Sequence, residues 1–147
     1  MIARKWFLFA CVVAVFGVGF VLGSTRRGIQ VVQAQSATRV FELRTYTTPE
    51  DKLDALQARF RDHTMPRFER HGITNIGYWT PQDAPNSSNT LVYIIAHDSR
   101  EAAETSWQNF RDDPEWQRVS RETQLDGRIV NNVESVFLDP TDYSPMQ

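Results

Sequence analysis

In the run over residues 40–46, apolar and functional side chains occupy alternate positions from Phe41 onward, which predicts a β-strand at the start of the folded part of the chain. Successive side chains of a strand point to opposite faces of its sheet. The set that we expect to face the hydrophobic core and its helices consists of Phe41, Leu43 and Thr45. The set on the other face, which we expect to carry polar chemistry, consists of Glu42, Arg44 and Tyr46.

A repeat of three and four residues follows this strand and predicts an amphipathic helix. Thr48 is suited to cap the helix, with Pro49 in the first turn, and Gly72 is suited to end it. Because Pro66 cannot donate a backbone hydrogen bond, we expect a kink near it. The apolar stripe of the helix consists of Leu53, Leu56, Phe60, Thr64 and Phe68.

Three more strands and a second helical region complete the pattern. Strands are predicted over residues 73–81, 90–97 and 129–138, with a polar loop over residues 82–89. The run over residues 91–96 is apolar on both faces, so we expect both of its faces to be covered. Ser99 is suited to cap the second helix, and the pair Asp113-Pro114 predicts a break and a restart within it.

The order strand, helix, strand, strand, helix, strand is that of a ferredoxin-like βαββαβ domain. We therefore predict an α+β fold in which a four-stranded antiparallel sheet, with its first and third strands central, carries two helices on one face. The second face would expose a large apolar area, which soluble proteins generally avoid. A second copy packed on that face would cover it, so we expect a homodimer built as a dimeric α/β barrel.

The first 34 residues differ from the rest of the 147-residue chain. Arg4 and Lys5 precede an uncharged apolar run over residues 6–23, which is typical of an export signal peptide or of a membrane anchor. Ala34 fits a cleavage site, whereas the length of the run fits an uncleaved anchor. We expect an exported protein, periplasmic or extracellular, with anchoring to the membrane by residues 6–23 as the alternative. The folded domain is predicted over residues 39–145.

Charge and cysteine content narrow the classes of function. The chain has 16 basic and 18 acidic side chains, and four of the basic ones lie in residues 1–34, where no acidic residue occurs. The rest of the chain is therefore acidic, so we expect no nucleic-acid partner, and contact with a membrane only through the N-terminal segment. Cys11 is the only cysteine, so the predicted domain has no thiol for a disulfide, for nucleophilic catalysis or for a metal.

Several motifs follow one another in the predicted domain. Phe-Glu-Leu-Arg-Thr-Tyr occupies residues 41–46, Gly-Tyr-Trp occupies residues 77–79, and Trp-x-x-Phe-x-x-Asp-Pro-Glu-Trp occupies residues 107–116. Together with the ending over residues 134–145, they resemble the NIPSNAP domain, and the ending is similar to that of bacterial members. The resemblance implies a dimeric α/β barrel and little about chemistry. The export-type N-terminus and the single domain differ from the animal proteins, so their vesicle and mitochondrial roles are not expected here.

The candidate site residues come mainly from the first predicted strand. Facing the interior of a barrel, Arg44 could hold a carboxylate ligand, and Glu42 could act as a general base. The alternative is that these two residues form ion pairs with neighbouring strands or across the dimer. The other candidates are His63 as a base, and Tyr46, Tyr78 and His97 as ligand-binding residues.

The remaining features predict no metal and no cofactor. The three histidines, His63, His71 and His97, match no metal-binding spacing. Trp107, Phe110 and Trp116 recur at helical spacing, which favours packing against the sheet over a ligand cage.

No pair of titratable residues in the sequence stands out strongly enough to indicate an enzyme. We therefore predict a module that binds a small apolar or acidic ligand, or a protein partner. The alternative is a cofactor-free enzyme in which His63 or Glu42 transfers a proton on a small aromatic or carbonyl substrate. A third hypothesis, a haem-dependent enzyme with His63 as the ligand, follows only from analogy with unrelated proteins of this fold.

Overall fold

A computed structural model describes residues 39–147 of the chain. The predicted signal peptide or anchor and its linker, over residues 1–34, lie outside the described residues. No helix within residues 39–147 is long and apolar enough to cross a membrane. The elements are β1 (Val40–Thr47), α1 (Leu53–Arg59), a π-helical segment (Phe60–Thr64), α2 (Met65–Arg70), β2 (Thr74–Trp79), a short 3-10 turn (Asn86–Ser88), β3 (Thr90–His97), α3 (Arg100–Asp112), α4 (Pro114–Glu122) and β4 (Asn132–Leu138).

The four strands form one antiparallel sheet in the order β2-β3-β1-β4. In the register of the central strand, Glu42 lies opposite Ile95 of β3 and Phe137 of β4. This arrangement confirms the predicted α+β fold, with the first and third strands central. The bounds of β3 are those predicted, whereas β2 and β4 are shorter than expected.

The first helical region packs the predicted stripe against the sheet, and all five of its residues are buried. The predicted start of the helix is wrong, because α1 begins at Leu53 and not near Thr48. Asp51 adopts a left-handed backbone conformation with φ of 58°, which is incompatible with a continuous helix from Pro49. The Thr48 hydroxyl donates to the Pro49 carbonyl at 2.8 Å and does not cap α1.

The interruption expected at Pro66 takes the form of a widened turn immediately before it. Pro66 has no N–H, so the carbonyl of Asp62, four residues earlier, lacks its usual helical donor. In the π-helical segment the N–H of Met65 donates to the carbonyl of Phe60, five residues back. The hydroxyl of Thr64 donates to the carbonyl of Arg59 at 3.3 Å. The wider turn keeps the buried stripe continuous from α1 to α2.

Side-chain caps begin both later helices at the predicted residues. The Ser99 hydroxyl accepts from the N–H of Ala102 at 3.1 Å. The Asp113 carboxylate accepts from the N–H groups of Glu115 and Trp116. Because Pro at a first helical position needs no N–H partner, the chain ends α3 and starts α4 within two residues.

The first strand has the opposite orientation to the one predicted. Its polar set faces the helices: Trp107 of α3 donates to Glu42, and the Tyr46 ring lies 5.7 Å from Phe60 and 5.4 Å from Tyr93. The expectation that Phe41, Leu43 and Thr45 face the helices is therefore wrong. The physical reason is that the helices offer aromatic and hydrogen-bonding partners to the polar set. Alternation along a single strand does not show where such partners lie.

The other face of the sheet is apolar and only partly covered. Phe41 and Leu138 line a pocket of about 230 Å³ beside Met146, which comes from the segment after β4. Trp79 and Val136 on the same face are 52% and 53% exposed. The side chains of β3 are thus fully buried only on the helix side of the sheet. On the other face, a single chain covers them only in part.

Phe68 tests the assignment of the core, because its ring packs on four other aromatic rings at 4.9 to 6.3 Å and is 1% exposed. We expect Phe68→Ala to lower the free energy of unfolding by about 3–5 kcal/mol, measured by urea denaturation. The matched control is Leu125→Ala, at a residue 81% exposed, which should change it by less than about 0.5 kcal/mol. A loss below about 1 kcal/mol for Phe68→Ala would contradict the assignment.

Candidate functional site

An open cleft of about 650 Å³ lies between the sheet and the helices α3 and α4. Strands β1 and β4 provide its floor, and arginines at positions 100 and 111 lie on its helical side. Its aromatic lining consists of Tyr46, Trp107, Phe110, Trp116 and Phe137. The cleft therefore combines a large aromatic surface with a few charged groups.

A buried carboxylate, Glu42, lies at the inner end of this cleft and is 1% exposed. One of its oxygens, Oε1, accepts from Nη1 of Arg44 at 2.6 Å and from the hydroxyl of Ser135 at 2.5 Å. The other, Oε2, accepts from the indole N–H of Trp107 at 2.7 Å and lies 3.1 Å from Nε2 of His97. Four side chains from three strands and one helix therefore converge on a single carboxylate.

The surroundings of Glu42 keep it ionised. Burial alone would raise its pKa, but the hydrogen bonds from His97, Ser135 and Trp107 and the charge of Arg44 lower the pKa to about 2. A carboxylate with so low a pKa is a weak proton acceptor at neutral pH. The geometry therefore favours the ion-pair alternative for Glu42 over a role as general base.

Arg44 connects this buried network to the open part of the cleft. Its guanidinium carbon lies 4.3 Å from the centroid of the Trp107 ring and 5.6 Å from that of Tyr46. Nη2 lies 3.5 Å from the Tyr46 hydroxyl, and the side chain is 15% exposed. An arginine held in this way presents a planar set of donors that matches a carboxylate or another flat anion.

The structure brings four of the six predicted candidates together: Glu42, Arg44, Tyr46 and His97. Three of them were expected inside a barrel on the uncovered side of the sheet, and this location is wrong. They lie on the helix side, because the face of β1 that was expected to point away from the helices points toward them.

Tyr78 and His63 lie elsewhere. Tyr78 stacks on Tyr93 with ring centroids 5.3 Å apart, and it lines a separate pocket of about 480 Å³ next to Met65. His63 belongs to the π-helical segment, and its backbone carbonyl accepts from Arg67 at 2.9 Å. Neither residue lines the cleft.

Sequence reasoning missed Ser135 and underestimated two tryptophans. Trp107 and Trp116 do pack on other rings, as predicted, with Trp116 4.4 Å from Phe110, but they also line the cleft. No local pattern marks Ser135, because its position opposite Arg44 depends on the register of β4 with β1. Within residues 39–147, no group of three His, Cys, Asp or Glu side chains is placed to hold a metal ion.

Comparisons with known proteins identify the family of the domain. The family model of NIPSNAP matches residues 41–145. A NIPSNAP family protein of unknown function from Agrobacterium tumefaciens superposes with a TM-score of 0.65 at 21% identity, over 76% of this chain and 96% of that one. A NIPSNAP-like domain protein from Burkholderia xenovorans gives a TM-score of 0.64 at 18% identity, over 74% and 90% of the two chains. Among curated proteins, none matches the sequence significantly.

Acid titration tests the Glu42 network. Because the pKa of Glu42 falls from 4.5 to about 2 on folding, its ionised form stabilises the folded state above pH 4.5, and this contribution is lost as the pH falls toward 2. We expect the stability difference between the wild-type protein and Glu42→Gln to shrink by roughly 3 kcal/mol over that range, measured by urea denaturation. Other carboxyl groups titrate in both proteins and cancel in the difference. A difference that stays constant with pH would contradict the assignment.

Proposed function

The chain belongs to the NIPSNAP family, and on this premise we propose that it is a module that binds a small aromatic molecule in the cleft between its sheet and its helices. The observation that carries the proposal is the cleft itself, with its volume of about 650 Å³ and its five aromatic residues. Small-molecule sites typically have volumes of about 300–1,000 Å³, largely apolar walls and a few placed polar groups. In this cleft, Arg44 is such a polar group.

The state of Glu42 supports binding over catalysis. An enzyme that transfers protons in this cleft needs a base with a free lone pair near the substrate. Glu42 has a lowered pKa, and both of its oxygens are already engaged with protein donors. The other candidate base, His63, does not line the cleft. We therefore propose a non-catalytic role.

We also propose that two copies of the chain associate through the uncovered face of the sheet. This face carries the exposed side chains of Trp79, Val136 and Leu138, which would lose contact with water in a symmetric dimer. The ring of Trp79 lies so close to Gly77 that a Cβ there would come within 2.5 Å of it. A glycine at this position lets the tryptophan lie flat on the sheet, which suits a packed interface.

The basic start and the apolar run over residues 6–23 support a location outside the cytoplasm. We propose that the protein is exported and cleaved close to Gln35, with anchoring through residues 6–23 as the alternative. The intact mass of the protein recovered from its native host separates the two, because only the cleaved form lacks the first 34 residues.

Retention of a ligand tests the binding role. We expect the protein purified from its native host to release an aromatic small molecule on denaturation, detected by mass spectrometry. Trp116→Ala removes one wall of the cleft and should reduce the released amount at least about tenfold, which corresponds to roughly 1.4 kcal/mol of binding free energy. The control is Trp79→Ala, which changes a tryptophan outside the cleft and should release as much as the wild type. Equal release from all three proteins would contradict binding in the cleft.

Sedimentation analysis tests the dimer. We expect the wild-type protein to sediment as a dimer at micromolar concentration and Val136→Glu to sediment as a monomer, because the substitution places a charge within an apolar interface. Leu125→Glu adds the same charge at an exposed position away from the sheet and should remain dimeric. A wild-type monomer at this concentration would rule out the proposed dimer.

A further inference from the structure

Arg59, the last residue of α1, is a buried cation without a carboxylate partner among residues 39–147. It is 6% exposed, and its Nε makes no hydrogen bond to the described part of the protein. Nε of the other buried arginine, Arg67, also has no partner, but the guanidinium of Arg67 pairs with Glu115 at 2.7 Å. A buried charge without a carboxylate partner disfavours folding unless another group compensates it.

Other buried donors without a partner belong to the central strands β1 and β3. Nε of Arg44 and the hydroxyl of Tyr93 are also buried and have no partner in the described residues. Burial acts to lower the pKa of both arginines, and the phenol groups of Tyr46 and Tyr93 act to raise it. Guanidinium groups can only donate hydrogen bonds, so both arginines need acceptors. The two arginines also carry one positive charge in excess, because Glu42 neutralises only Arg44.

The donor cluster, defined as Arg44, Arg59, Tyr46 and Tyr93, adjoins the open cleft. Arg44 and Tyr46 line the cleft directly. The guanidinium carbon of Arg59 lies 5.5 Å from the centroid of Trp116, which is another lining residue. The ring of Tyr93 lies 5.4 Å from that of Tyr46. Two members of the donor cluster therefore line the cleft, and the other two lie next to its lining residues Trp116 and Tyr46.

We propose that the donor cluster is an anion subsite and that the ligand of the cleft is a small aromatic carboxylic acid. The inference rests on the proposed binding function and specifies the chemical class of its ligand. A carboxylate offers two acceptor oxygens and one negative charge, which match the free donors and the unpaired charge of Arg59. The aromatic part of the ligand then packs against Trp107 and Trp116.

The local backbone supports the assignment. Arg59 immediately precedes the π-helical segment. Its backbone carbonyl accepts a hydrogen bond from the side-chain hydroxyl of Thr64. Widened turns of this kind occur frequently at functional sites, where they reorient a side chain. Here the widened turn lies next to the one buried cation that lacks a carboxylate partner within residues 39–147.

The test compares benzoate with benzamide, which have nearly the same shape and differ in charge. Binding is followed by NMR through the indole N–H signals of Trp107 and Trp116. We expect benzoate to bind at least about tenfold more tightly than benzamide. Arg59→Gln should remove that preference by weakening the binding of benzoate. The matched control is Arg128→Gln, which removes the same charge from an exposed position outside the cleft and should change the benzoate affinity by less than about threefold.

The outcomes separate the two proposals. Equal affinities for benzoate and benzamide, insensitive to Arg59→Gln, would overturn the anion subsite and leave the binding function standing. No response to either ligand would overturn both. The comparison of the two ligands on the wild-type protein is decisive even if Arg59→Gln does not fold.

Thermal stability without ligand gives an independent readout. Replacing an uncompensated buried cation by a neutral side chain should raise the melting temperature of Arg59→Gln above that of the wild type. A residue with a purely structural role would instead lower it on substitution. A lower melting temperature would therefore count against the anion subsite.

Discussion

The buried carboxylate of Glu42 is the interaction on which the arrangement of the domain depends. Its partners Arg44, His97, Ser135 and Trp107 come from β1, β3, β4 and α3, so one charged group links three strands to a helix. A carboxylate removed from water is tolerated only when such donors replace its hydration. This requirement determines which face of β1 turns toward the helices, and the opposite face then takes the apolar side chains.

The orientation of β1 has consequences on both sides of the sheet. On the helix side it places Arg44 and Tyr46 under the helices α3 and α4, where aromatic residues enclose a cleft. On the other side it leaves Val136 and Trp79 exposed, so that this face has apolar surface available for a partner. The proposed ligand site and the proposed dimer interface therefore occupy opposite faces, and each can be disturbed without direct change to the other.

Arg44, which lines the cleft, and Arg59, which lies next to its lining residue Trp116, differ in how their charges are compensated. Arg44 is neutralised within the protein by Glu42, and its position is held by Trp107 and Tyr46. Arg59 is buried to a similar degree but has no such carboxylate in the described part of the chain. A protein that keeps a charge buried without compensation gives up stability, and this cost is typical of groups retained for binding. The two side chains are chemically identical, and only their tertiary contacts distinguish them.

The sequence alone determined the order of the elements, the buried stripe of α1 and α2, the caps at Ser99 and Asp113, and the family. These features depend on residues a few positions apart, and local periodicity and capping chemistry report them directly. Only the tertiary structure decided which face of β1 points toward the helices and which residues line the cleft. Glu42 meets a donor 65 positions away in Trp107 and another 93 positions away in Ser135. Alternation along a strand shows that it has two faces, but only such distant partners decide which face is inside.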